Sequence, residues 1–114
     1  MKGLPQVLAE RETEGRIELE LEVQAANPWF EGHFPQMAIL PGVVQIGWAV
    51  HLSHARFGFG PGVSVMEQVK FKRPVQPGIR LTLTLKPDAE RRRVRYEYRE
   101  GEQTCSSGVL EFGA

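Results

Sequence analysis

One cysteine, Cys105, is all the thiol chemistry that this chain of 114 residues carries. That excludes an intrachain disulfide framework and suits a reducing compartment. Acidic and basic side chains balance at 14 each, so the chain lacks the single-sign field that dominates nucleic-acid or anionic-membrane binding. No apolar run approaches the ~20 residues that a membrane span needs. Met1–Glu10 has no basic-then-apolar leader, and repeats and low-complexity linkers are missing too. The three histidines are scattered and make no metal-site pattern, and Cys105 has no histidine spaced for nucleophilic catalysis. A cytoplasmic soluble protein of one domain is the expectation. At this length folding buries roughly two-thirds of the unfolded chain's surface, enough for a core without metal or disulfide.

What is present is organised around Trp29–Gly58. A loop, Glu31-Gly32-His33-Phe34-Pro35, leads to a helix opened by Pro41-Gly42, where proline's missing N–H costs nothing. From His33 to Pro61 the only formally charged residue is Arg56. Val43, Ile46, Val50 and Phe57 make one apolar stripe, and Val44, Trp48 and Leu52 make a second. A helix apolar on two faces is a buried one; over ~15 residues it spans about 22 Å. Gly58-Phe59-Gly60-Pro61-Gly62 ends it.

Strands account for most of the rest. Met1–Glu14 has mixed character, read as a short helix or an arm. Arg16–Ala25 alternates Ile17, Leu19, Leu21 and Val23 with glutamates, the pattern of a half-buried strand, and Asn27-Pro28 breaks it. Val63–Phe71, Ile79–Leu85, Arg92–Arg99 and Gln103–Phe112 follow, separated by turn residues. Ile79, Leu81, Leu83 and Leu85 are expected to face the helix, with Arg80, Thr82 and Thr84 in water. A strand, a long helix and a meander make an α+β domain, the helix lying on one antiparallel sheet. That sheet covers one side of the helix. The face with Trp48 and Leu52 is expected to need a second copy of the chain. Arg91-Arg92-Arg93 with Arg95 reads either as a solvated hairpin or as a landing patch for an acidic carrier protein or a phosphate.

Phe30-Glu31-Gly32-His33-Phe34-Pro35 followed by Leu40-Pro41-Gly42-Val43-Val44-Gln45 resembles the signature of the hotdog-fold 3-hydroxyacyl-acyl-carrier-protein dehydratases. Lys70-Phe71-Lys72-Arg73-Pro74-Val75-Gln76-Pro77-Gly78 resembles that family's second block. The Pro-Gly-Val-Val-Gln variant is similar to the short dehydratases of aryl polyene pathways. The resemblance implies a hotdog fold, an antiparallel sheet wrapped around one long central helix. It also implies an acyl thioester substrate, on acyl carrier protein or coenzyme A, bound between two protomers. His33 would take the C2 proton, and backbone N–H groups near Gly42 would meet the thioester oxygen. Phe34, Pro41, Gly42, Val43, Gly47 and His51 would surround the substrate. No metal or redox cofactor is implied, because eliminating water beside a thioester needs only a base, an acid and an oxyanion site.

One component of that family pattern is absent. The family's helix carboxylate, six residues after the proline, falls here on Gly47. Glycine donates nothing, and no Asp or Glu lies elsewhere on the helix. His51 shares the Gly47 face one turn on, and His54 continues it. Three readings stay open: dehydration with His51, Gln45 or water as the acid; an altered reaction; or a non-catalytic thioester-binding subunit beside an active homologue that supplies the carboxylate. A hotdog thioesterase is a further alternative, weakened equally by Gly47. Homo-oligomerisation is expected in each case.

Overall fold

Glutamates alternating with Ile17, Leu19 and Leu21 build strand β2 (Arg16–Glu22), whose apolar side is buried throughout. The computed structural model describes residues 3–30, 39–60 and 62–113; the segment carrying His33 and Phe34 lies outside the described residues. Strand β1 (Gln6–Thr13) precedes β2, and a single 3-10 turn, Pro28–Phe30, follows it. Helix α1 (Gly42–Phe57) leads into strands β3 (Val63–Phe71), β4 (Arg80–Asp88), β5 (Arg93–Glu100) and β6 (Gln103–Phe112). All strand pairs are antiparallel, in the order β1-β2-β4-β5-β6-β3. No helix among the described residues is long and apolar enough to cross a membrane.

Register carries the alternation across the sheet. Leu19 faces Leu83, and Leu83 faces Tyr98, so one surface is a continuous apolar floor. Leu81, Leu83, Leu85, Val94, Tyr96 and Tyr98 are all buried there, while Arg80, Thr82 and Thr84 point to the outer surface. Ile79 sits one residue before β4 and is half-buried against the same core. Gly108 stands opposite Tyr96, and a Cβ there would come within 2.7 Å of the tyrosine ring. Glycine is what lets that ring lie flat across β6.

Two expectations are corrected. Residues 6–13 form neither a helix nor a free arm but a full edge strand on β2. Every residue of β1 is exposed, so the hydrophobic period that would announce a strand is missing. Its backbone ladder holds it, assisted by ion pairs from Arg11 to Glu18 and Glu20. Glu10 reaches across to Arg56 of α1 at 2.8 Å.

The second correction concerns the two helix stripes. The Trp48 face is the one packed on the sheet: Val44, Trp48 and Leu52 are 4%, 0% and 6% exposed, whereas Val43 is 77% exposed. The face left open carries Val43, Ile46, Gly47, Val50 and His51. Apolar content alone could not choose between the stripes. Gln45 and Ser53 are both buried on the Trp48 side, and the buried Gln45 amide oxygen needs a partner that it finds in Ser106 of the sheet. The helix ends at Gly58 in the left-handed conformation (φ 72°), its N–H bonded to the His54 carbonyl. The His54 ring, through Nδ1, also holds the Phe59 carbonyl of the following loop.

Candidate functional site

The N-terminus of α1 is fixed by a buried polar cluster. Gln45 Nε2 donates to the Leu40 carbonyl (3.3 Å), while Gln45 Oε1 accepts from the Ser106 hydroxyl of β6 (2.6 Å). The backbone carbonyl of Gln45 accepts from Tyr98 Oη of β5 (2.7 Å). Leu40 is held on its other side by its own N–H, bonded to the Val75 carbonyl at 2.8 Å. The segment entering the helix is therefore pinned between sheet, helix and the 72–79 turn. Burial pushes the Tyr98 hydroxyl well above its ordinary pKa, so it stays a neutral donor.

Pro41 starts the helix and its carbonyl accepts the N–H groups of Val44 (3.0 Å) and Gln45 (3.3 Å). The N–H groups of Gly42 and Val43 have no acceptor among the described residues. Both residues border an apolar pocket of about 510 Å³, with Ile39, Leu40, Ile46 and Phe71 among its other walls. Lys72, Arg73 and Pro74 form its rim. The volume falls in the range of small-molecule sites. Phe71 lies directly over Gly42: a Cβ on Gly42 would stand 2.6 Å from Phe71 Cζ. Glycine is needed here for this close approach, and Phe71 itself is 53% exposed.

Of the residues expected to form the site, Gly42 and Val43 line this pocket, and Pro41 joins them to its wall at Leu40 without lining it. Gly47, half-buried, and His51, exposed, continue from Val43 along the open helix face. His33 and Phe34 fall outside the described residues. His54 is committed to the loop after the helix. Ser106, Tyr98 and Phe71 were not singled out from the sequence, although they build the site. For Ser106 a signal existed: it is a polar residue in a strand otherwise buried at Cys105, Gly108, Val109 and Leu110. Phe71 falls in the second family block, Lys70–Gly78, but that block does not single out its ring, because an aromatic in a strand reads as core.

The basic cluster divides. Arg92 turns inward at φ 53°, donates to the carbonyls of Gly113 and Gly60, and stacks over Phe59. Arg93 pairs with Glu111 (2.9 Å) and Glu67 (3.6 Å). Arg91 and Arg95 make no ion pair among the described residues. Cys105 is buried and its thiol is pushed up, chiefly by burial, as fits an inert core residue.

Comparison with known proteins agrees with this architecture. The family model described as ApeI-like, ApeI dehydratase, matches residues 9–109. The 3-hydroxyacyl-[acyl-carrier-protein] dehydratase FabZ of Oenococcus oeni is 32% identical over 106 residues, covering 83% of this chain and 76% of that one. FabZ of Clostridium botulinum (strain Eklund 17B) is 39% identical over 92 residues, covering 69% of this chain and 65% of the relative, just under two thirds of its length. Among solved structures, a chain of the dehydratase heterocomplex ApeI:P from Xenorhabdus doucetiae superposes with a TM-score of 0.84 at 30% identity, covering 94% of this chain and 96% of that one. The fold is the hotdog fold.

Proposed function

Because this chain belongs to the ApeI-like dehydratase family, we propose that it forms one half of a 3-hydroxyacyl-thioester dehydratase site, completed by a second hotdog subunit. The substrate is an acyl chain held as a thioester on acyl carrier protein or coenzyme A, and the compartment is the cytoplasm. His33 is the base that removes the C2 proton. The resulting enolate oxygen is met by the free N–H groups of Gly42 and Val43, which point along the positive end of the helix dipole. The C3 hydroxyl then leaves as water, taking a proton from an acid. Gly47 cannot be that acid.

The observation that carries this reading is the openness of the helix face bearing Val43, Gly47 and His51. Among the described residues the sheet covers the other side of the helix, and the pocket over Gly42 is walled on one side and open on the other. A subunit placed there brings its own helix opposite the Gly42 pocket and with it a carboxylate. The Xenorhabdus relative is itself part of a dehydratase heterocomplex, which supports a homologue as the second subunit. Pairing of identical chains puts Gly47 on both sides, leaving only His51 or water to donate.

The test compares dehydration of a short 3-hydroxyacyl thioester by the chain alone, by His33→Ala and by Gly47→Glu. Removing one member of a concerted catalytic set costs orders of magnitude. The expected results are therefore a slow wild type, a Gly47→Glu variant faster by 10²-fold or more on the scale of one general acid, and no turnover in His33→Ala. A wild type already fast by itself, and unchanged by Gly47→Glu, sinks the half-site.

A further inference from the structure

The outer surface of the sheet, remote from the helix, is mostly a lattice of compensated ions. Arg11 bonds Glu18 and Glu20, Arg99 lies 3.7 Å from Glu18 and 3.6 Å from Glu97, and Arg93 holds Glu111 and Glu67. One row departs from this. Lys86 of β4 stands directly opposite Arg95 of β5, and Arg16 at the start of β2 lines the same depression. None of the three makes an ion pair among the described residues. Like charges directly opposite in a sheet are destabilising. The Nε of Arg16 is moreover shut off from solvent with no acceptor among the described residues, a costly state for a buried donor.

Two adjoining depressions, of about 340 and 250 Å³, share Lys86 and Arg95 and make one groove across β2, β4 and β5 toward Gln68 of β3. Its walls carry five cations, Arg91 and Arg93 being the other two, against three carboxylates, Glu67, Asp88 and Glu97. Glu67 is engaged by Arg93, and Glu97 accepts from Thr104 and lies near Arg99. In a chain whose charges balance overall, the excess here is local.

We propose that this groove binds a compact, multiply charged anion of the phosphate class, held between Arg16, Lys86 and Arg95. Such an anion relieves the Lys86–Arg95 repulsion and offers a counter-charge to the Arg16 guanidinium that lines the same depression. Planar guanidinium groups suit phosphate oxygens two at a time, with lysine adding a point charge. The groove faces away from the pocket at Gly42, so the site is separate from the thioester chemistry and its test does not depend on turnover.

Amide NMR of the full chain, titrated with pyrophosphate at ionic strength held constant by sodium chloride, is the direct test. The expected result is saturable shifts concentrated at residues 15–17, 84–86 and 93–97. Affinity should fall about tenfold or more in Lys86→Glu and in Arg95→Gln, as for loss of one charge-assisted contact, and should persist in Arg80→Gln. Lys86→Glu should also raise Tm at low salt, since it replaces a repulsive pair by an attractive one. Adenosine 3′,5′-bisphosphate run in parallel distinguishes the source. Tighter binding than pyrophosphate assigns the groove to a nucleotide-borne phosphate, and equal binding to the free anion. Shifts that fail to saturate, that centre elsewhere, or that survive in both groove variants overturn the proposal.

Discussion

The hydroxyl of Ser106 and the side-chain carbonyl of Gln45 meet at 2.6 Å, both buried and 61 residues apart in sequence. This contact locks the first turn of the helix to β6. Ser106→Ala leaves the Gln45 oxygen without its donor, and an unmet buried acceptor costs about 1–3 kcal/mol. Urea unfolding should show a lower midpoint with an unchanged slope, since the surface exposed on unfolding stays the same. If the amide merely fills space, Ser106→Ala and wild type will unfold together.

Gly42 and Phe71 should be energetically coupled. Alanine exceeds glycine in helix propensity by about 1 kcal/mol, so Gly42→Ala ought to stabilise a helix start, but its Cβ would stand 2.6 Å from Phe71 Cζ. The gain should therefore be missing in the wild-type background and return in Phe71→Ala. A double-mutant cycle should give a coupling above ~0.5 kcal/mol, the usual limit for independent sites. Additive effects would mean that the ring swings aside freely.

Alkaline titration offers a test of the core. The chain has two tyrosines, Tyr96 and Tyr98, and both are buried. Burial pushes Tyr96 up to about 12 and Tyr98 well above its ordinary value. A folded pKa above the unfolded one means stability that is complete below pH ~10 and is lost as pH rises from there toward the folded values. Tyrosinate absorbance near pH 10 should accordingly stay flat until the protein unfolds. Tyr96→Phe should weaken this alkaline loss and cost little at neutral pH, because the Tyr96 hydroxyl has no hydrogen-bond partner among the described residues. A free titration step near pH 10 in the native protein would contradict the packing.

The acid limb tests the edge strand. Glu20 is held below the usual carboxylate range, first by its hydrogen bond from Arg11, with Thr82 and the charge of Arg99 adding to it. A depressed folded pKa contributes stability above the unfolded value that disappears as pH falls through the folded one. The destabilisation caused by Arg11→Leu should thus be present at pH 6 and shrink toward zero in strong acid. Because Arg11 is exposed, the effect at pH 6 should be small and should shrink further as salt screens the pair. A constant difference across the pH range would place the effect in the leucine side chain rather than in the ion pair.

Much of this fold is visible in the residues, and the exceptions have physical causes. Strands β2, β4 and β5 announce themselves because one face is apolar and the other wet. Strand β1 is silent, since both of its faces are solvated and backbone pairing leaves no mark on side-chain pattern. The helix is obvious, but its orientation is not: two apolar stripes compete, and the choice depends on Ser106 and Tyr98, far along the chain. Gly42 and Val43 could be placed from the Leu40-Pro41-Gly42 motif alone. Phe71 over Gly42 could not, because sequence spacing carries no information about which edge-strand ring reaches a helix start. The unpaired row of Lys86 and Arg95 likewise exists only once the β4–β5 register is known.

Gly47 lies on the helix face turned away from the sheet, half-buried among the described residues. In the genetic code every glycine codon is a single base change from an aspartate or glutamate codon. On the proposed half-site, the residue that would supply the missing acid is thus one mutational step away. Under that proposal, lineages carrying this scaffold give up or regain a proton donor by a single substitution on the helix face turned from the sheet.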